Sequence, residues 1–170
     1  TIVHLKPALA GVKIKGYTPF KECAGISFND IKITHMAGEK KSSFTGELLF
    51  THQGLSGPVI LNHSAEFDEH SIINVHFVTQ EEVSEALALP SNRDKMLHNI
   101  LKGLNIPGTL AKTLLKTIDI DPNLKPSSLN RQKRNELIST LQSKTFIVES
   151  VDGFNKAMLT AGGVSLKEVN

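Results

Sequence analysis

At 170 residues and 39% hydrophobic content, the chain can hold one medium domain or two small ones around a packed core. No run approaches the length needed to span a bilayer and nothing resembles a signal peptide, so a soluble cytoplasmic protein is expected, and the single cysteine, Cys23, excludes an internal disulfide. The net charge of +2 hides an uneven split, because Ser91 to Lys144 carries ten Lys and Arg against four Asp and Glu, while the remainder carries nine against thirteen.

The first half reads as sheet. Ile2, His4, Leu9, Val12 and Ile14 mark two short extended runs around Pro7, and Gly16-Tyr17-Thr18-Pro19 is a turn. Ile26 to Met36 alternates most clearly at Ile31, Ile33 and His35; Ala37-Gly38-Glu39-Lys40 is a hairpin turn, and Phe44 to Thr51 is the returning strand. After a glycine turn at His52 to Gly57, a helix is predicted from Ser56 to about Ala65, with Ser56 as N-cap and Pro58 in the first turn. Ile72 to Val78 then alternates again, with Ile73, Val75 and Phe77 on one face. Short strands separated by turn signals predict a small barrel-like sheet.

At Gln80 the period changes from two to about 3.6. Val83, Ala86 and Leu87 form a short apolar face closed by Pro90. Two longer faces follow, Met96, Leu97, Ile100, Leu101 and Leu104, then Leu110, Ala111, Leu114, Leu115 and Ile118. A last helix runs from an N-cap at Asn130 to Gln142, and Thr145 to Val151 returns to strand character. The expected class is therefore α+β: a small, mostly antiparallel barrel-like sheet with an inserted cluster of three to four helices. The barrel takes residues 1–79 and 145–160, the helical part residues 80–144.

The unusual chemistry lies in Thr45 to Ala65, TGELLFTHQGLSGPVILNHSA. Gly54-Leu55-Ser56-Gly57 starts like the G-x-S-x-G nucleophile elbow, but Pro58 closes it and no Asp and His follow in a convincing order, which argues against a serine hydrolase. Two readings stay open. Amides at a helix start favour a phosphate or carboxylate, making Gly54, Ser56 and Gly57 candidate cofactor contacts; alternatively both glycines serve a tight corner through backbone shape alone. His52 divides the same way, between an imidazole that holds the corner by backbone hydrogen bonds and a substrate-facing acid, base or dipole; it is the one catalytic candidate. The seven histidines offer no ligand spacing, so no metal is expected. Cys23 reads as a packed residue. Lys112, Lys116, Arg131, Lys133 and Arg134 make a solvated basic face; with 5% aromatic residues and no Trp, stacking on nucleic acid has little to build on.

FTHQGLSGPVILNHSA closely resembles the F-T-H-x-G-x-S-G-P-x-x-L-x-x-S signature of the bacterial BaiN-like, YhiN-like or aminoacetone-oxidase-like NAD(P)/FAD-dependent flavoproteins, matching at Phe50, Thr51, His52, Gly54, Ser56, Gly57, Pro58, Leu61 and Ser64. HLKPALAGVKI, His4 to Ile14, is similar to the family's P-L-x-P-A-L-V-P-L block. Phe154 with AMLTAGGVSLKEVN, Ala157 to Asn170, is similar to its G-F-x-x-A-M-V-T-A-G-G-V-x-L-x-E-I-N block. The family's opening G-x-G-x-x-G turn and its glycine-rich closing region are not in the chain.

The resemblance implies an internal insert that walls the substrate cavity over FAD in a larger oxidoreductase, inactive by itself. It implies the FAD-binding domain of the same parent chain as partner, a small-molecule substrate, NAD(P)H as possible electron donor, and residues 161–170 as a crossover toward that domain. Ala161, Gly162 and Gly163 join the cofactor-binding candidates, because small residues let backbone approach a flat ring. The alternative is a free-standing module whose basic helices bind an anionic partner such as RNA.

Overall fold

The computed structural model describes residues 2–153 and 159–164. Strand β1 is Ile2–Ala8, β2 Val12–Ile14, β3 Ser27–Ala37, β4 Lys40–Phe50, β5 Gly54–Ser56, β6 Ile72–His76, β7 Lys144–Val151 and β8 Leu159–Val164. The helices are α1 Pro58–Leu61, α2 Gln80–Ala88, α3 Leu97–Gly103, α4 Gly108–Lys116 and α5 Arg131–Gln142. The alternating segments become a closed antiparallel barrel in the order β2-β5-β4-β3-β6-β7, with β7 pairing back onto β2. Ala37 opposes Lys40 across the hairpin, and Gly38, at φ 59°, supplies the left-handed turn residue. Ile33, Leu48, Phe50, Ile73, Val75 and Val148 are fully buried, so the apolar face of each alternation points inward.

Strand β1 stands outside the barrel and pairs with β8 as a two-stranded antiparallel ribbon, with Lys6 opposite Ala161 and Ala8 opposite Leu159. The barrel itself begins at β2, not at residue 1, and ends at β7, which returns from the helical cluster and closes it. The chain thus enters and leaves the barrel through one ribbon. Phe154 to Met158 lie outside the described residues, as do 165–170.

Helices α2 to α5 bury the predicted faces except at Met96, which is the exposed N-cap of α3 and not part of its apolar face. Thr79 and Glu82 form a reciprocal capping box at the start of α2, and the Asn130 side chain accepts the Lys133 amide at 2.8 Å at the start of α5. The first amides of α3 are met by the loop before α5: Leu97 donates to the Leu124 carbonyl at 2.8 Å and His98 to that of Pro122 at 3.1 Å. One hydrophobic core runs from the barrel interior into the helices, joining Phe50, Val75 and Phe146 to Leu101, Leu110, Leu114 and Leu137. The 3-10 turn Thr18–Cys23 bridges them: Phe20 meets Phe146 edge-on at 5.2 Å between centroids, and the Cys23 thiol lies 3.5 Å from the Thr113 hydroxyl of α4. Burial pushes the Cys23 pKa up, as suits a packed residue.

The helix predicted from Ser56 to Ala65 is largely absent. Gly54–Ser56 is strand β5, α1 has four residues, and Ser64–Glu66 is a separate 3-10 turn. Gly57, at φ 89°, takes the N-cap position with no side-chain cap, so Ser56 does not serve there. The physical reason is the sheet, in which β5 gains backbone bonds to both β2 and β4.

Candidate functional site

The signature stretch builds one corner of the barrel rim. Between β4 and β5 the chain reverses over Thr51, His52 and Gln53: the Thr51 amide donates to the Gly54 carbonyl at 2.9 Å, and Thr51 Oγ1 accepts the amides of Gly54 at 3.1 Å and Gln53 at 3.4 Å. The hydroxyl therefore secures the turn and leaves His52 and Gln53 exposed at its tip. The His52 ring makes no hydrogen bond or ion pair among the described residues.

Both glycines of the motif are demanded by packing. A Cβ on Gly54 would overlap the Val12 carbonyl oxygen of β2, and one on Gly57 would stand 2.8 Å from the Glu47 carbonyl oxygen and 2.9 Å from the Leu49 nitrogen. Ser64 anchors the far end of the signature: its buried hydroxyl accepts the Ala10 amide at 3.1 Å and donates to the Leu61 carbonyl at 3.0 Å. It thereby ties α1 to the link between β1 and β2.

Two clefts adjoin the turn. The first, about 320 Å³, is lined by Gly11, Lys13, His52, Gln53, Ser56 and Asp152, among others. The second, about 300 Å³, includes Lys13, Tyr17, Lys21, His52, Gln53 and Glu149. Lys13, His52 and Gln53 form their common wall. The first cleft lies at the root of the ribbon, where the Asp152 amide donates to the Gly11 carbonyl at 2.8 Å. Gln53 comes with His52 in the signature turn, whereas Asp152 and Glu149 carried no sequence signal, since the barrel alone brings them to this rim.

Of the cofactor candidates, Ser56 lines the first cleft, whereas Gly54 and Gly57 are buried against neighbouring strands. Ala161, Gly162 and Gly163 lie in β8, with Ala161 opposite Lys6 and Gly163 opposite Val3. Tyr17 is buried beneath the turn; its hydroxyl approaches the Thr51 backbone without reaching normal hydrogen-bond geometry, and burial, then the nearby Cys23, push its pKa up.

His35, His63, His76 and His98 have local partners. His63 stacks on Phe44 at 3.5 Å, His76 Nδ1 donates to the Gln142 carbonyl at 2.8 Å, and His98 Nδ1 donates to that of Pro122 at 2.9 Å. His35 is buried beside Ser71, 3.2 Å away, and edge-on to Phe67. No group of three metal-ligating side chains occurs among the described residues, and no helix there is long and apolar enough to cross a membrane. On the basic face, Lys112, Lys116 and Arg131 are exposed, Arg134 is partly so, and Lys133 donates to the Ile118 carbonyl at 2.6 Å and to Glu136 at 3.1 Å.

Every strand pair among the described residues is antiparallel, and no glycine-rich turn opens a helix there after a parallel strand. The described residues thus lack the strand–turn–helix unit that cradles a dinucleotide pyrophosphate.

A family model described as "HI0933-like protein barrel and H2TH domain" matches residues 6–159, bearing out the family resemblance over that span. A 3-dehydro-bile acid delta(4,6)-reductase of Clostridium scindens is 30% identical over 99% of this chain and 44% of its own length. Ribosomal RNA dihydrouridine synthases of Escherichia coli and Haemophilus influenzae are 28% and 26% identical, covering 79% and 86% of this chain and 34% and 36% of their own. The chain spans less than half the length of each of these relatives.

Proposed function

Because the chain belongs to the HI0933-like barrel and H2TH family, we propose that it is the substrate-side insert of a FAD-dependent reductase whose flavin is held by neighbouring parts of a longer protein. The observation that carries this reading is the ribbon: β1 and β8 run side by side, as an insertion into another domain requires, and the signature cleft opens at their root. In this reading that cleft faces the flavin, and Ser56 with Ala161, Gly162 and Gly163 approaches it. Gly54 and Gly57 contribute by shaping β5.

The relatives' names suggest the reaction class. A dihydrouridine synthase saturates a carbon–carbon double bond conjugated to a carbonyl, and a delta(4,6)-reductase acting on a 3-dehydro bile acid does the same in a steroid. We assign the full-length protein to reduction of such conjugated double bonds. When bound, the flavin supplies the hydride. Negative charge gathers on the carbonyl oxygen, and His52 and Lys13 are the groups of this chain assigned to meet it.

The test is to express the full-length protein, look for a flavin spectrum, reduce the flavin without oxygen, and add cyclic enones or uridine-containing RNA. Reoxidation by a compound with a conjugated double bond, weakened by His52→Ala, is the expected result. A full-length protein that binds no flavin would sink the insert reading; bound flavin that no such compound reoxidises would sink the reaction class.

A further inference from the structure

The first cleft runs along β2 and has two chemically different ends. Val12 pairs with Leu55 of β5 and with Val151 of β7, which sets Ser56 and Asp152 beside Gly11 at one end. At the other, the Ile14 amide donates to the Gln53 carbonyl at 3.1 Å, next to His52. Lys13, opposite Gly54, lies between them. Lys13, His52 and Ser56 can each donate a hydrogen bond, and Asp152 is the one carboxylate that lines this cleft among the described residues.

Asp152 is half-buried, whereas Glu149 of the second cleft is exposed. Its carboxylate makes no hydrogen bond or ion pair among the described residues, although Lys13 lines the same cleft. The backbone leaves it room: a Cβ on Gly11 would stand 3.1 Å from Asp152 Oδ2 and 3.3 Å from the Leu55 carbonyl oxygen. A carboxylate accepts hydrogen bonds and donates none, so the group that completes this end of the cleft brings an N–H or O–H.

Lys13 and His52, further along the cleft, are the groups assigned to the substrate's carbonyl oxygen. A molecule that satisfies both ends carries a carbonyl acceptor with a donor next to it. In a ring with a conjugated double bond, a lactam or imide offers that pair through its C(=O)–N–H unit, whereas a plain cyclic enone offers the acceptor alone. We propose that Asp152 is a specificity-determining residue that accepts a hydrogen bond from the ring N–H of a conjugated lactam or imide. This rests on the reading of the first cleft as the substrate face, and adds to it which conjugated carbonyl compounds fit.

Binding to the full-length protein without a reductant, followed by saturation-transfer NMR, involves no turnover and separates recognition from reaction. Dihydropyridinone, a six-membered lactam with its double bond conjugated to the carbonyl, should bind about tenfold or more tightly than its N-methyl derivative or cyclohexenone. Asp152→Ala should erase that preference, weakening the lactam about tenfold and leaving the other two compounds within about twofold. Asp152→Asn, which keeps an acceptor oxygen without the charge, should retain part of it. With the flavin reduced, Asp152→Ala should raise the half-saturating concentration of the lactam and leave the limiting rate of reoxidation within about twofold. If the preference holds in binding while no compound reoxidises the flavin, the reaction class fails and the Asp152 assignment stands. Equal affinity for the lactam and its N-methyl derivative in the unsubstituted protein, or equal losses for all three compounds in both variants, would overturn the assignment.

Discussion

Thr51 Oγ1 accepts the Gly54 amide at 3.1 Å, and this bond closes the turn that lifts the His52 ring clear of the barrel. The division of labour between neighbours is open to measurement. Thr51→Val removes the acceptor and should cost the fold about 1 kcal/mol in urea unfolding. His52→Ala should change stability by less than about 0.5 kcal/mol, since the ring is exposed, yet slow the flavin reoxidation proposed for the full-length protein. A large stability loss in His52→Ala would return the imidazole to a structural role.

Gly54 of β5, Gly57 at the N-cap of α1 and Gly46 of β4 should separate by position. Gly54→Ala drives a methyl into the Val12 carbonyl, and Gly57→Ala combines a 2.8 Å contact to backbone with a left-handed φ of 89°. Each should destabilise by about 3 kcal/mol or more. Gly46→Ala, whose new methyl would meet Val59 Cβ at an ordinary 3.4 Å, should lie within about 1 kcal/mol of the parent. Thermal denaturation of the three variants checks the order.

Ser64→Ala leaves the buried amide of Ala10 without its acceptor, at an expected cost of about 1–3 kcal/mol. The loss should appear as faster hydrogen exchange at Ala10, and a variant with unchanged exchange there would contradict the assignment.

His35 sets an acid limit. Burial holds its pKa below the ordinary value of 6.5, outweighing the nearby Glu66 and Asp68, which act in the other direction. The unfolded chain therefore takes up this proton first as pH falls. The stability contributed by neutral His35 is complete above 6.5 and is lost on descending through the lower folded value. His35→Gln should flatten that part of the stability profile, read by urea midpoints between about pH 7.5 and about pH 5.

Much of the architecture was legible because its signals are local. The Asn130 cap, the apolar row of α4, and the Ala37–Lys40 hairpin are each written within a dozen residues, and each is where periodicity and turn chemistry put it. Strand β5 was not legible. Three residues cannot display an alternation, and Gly54 reads as a breaker when its purpose is the passage of the Val12 carbonyl from a strand far away in sequence. The candidate site divided likewise: His52 and Ser56 stand out in the signature, whereas Asp152 and Glu149 join them only when β7 closes the barrel.

Closure has a further consequence for how this protein meets other sheets. The ring of strands is closed only where its short members reach: β5 pairs with β4 at Leu49 and Phe50 alone, so among the described residues the strand sides without a strand partner include Lys40 to Leu48 of β4 as well as the outer flanks of β1 and β8. Any neighbour that extends this protein's sheets, whether a companion domain or another copy in a concentrated solution, has these flanks to choose between.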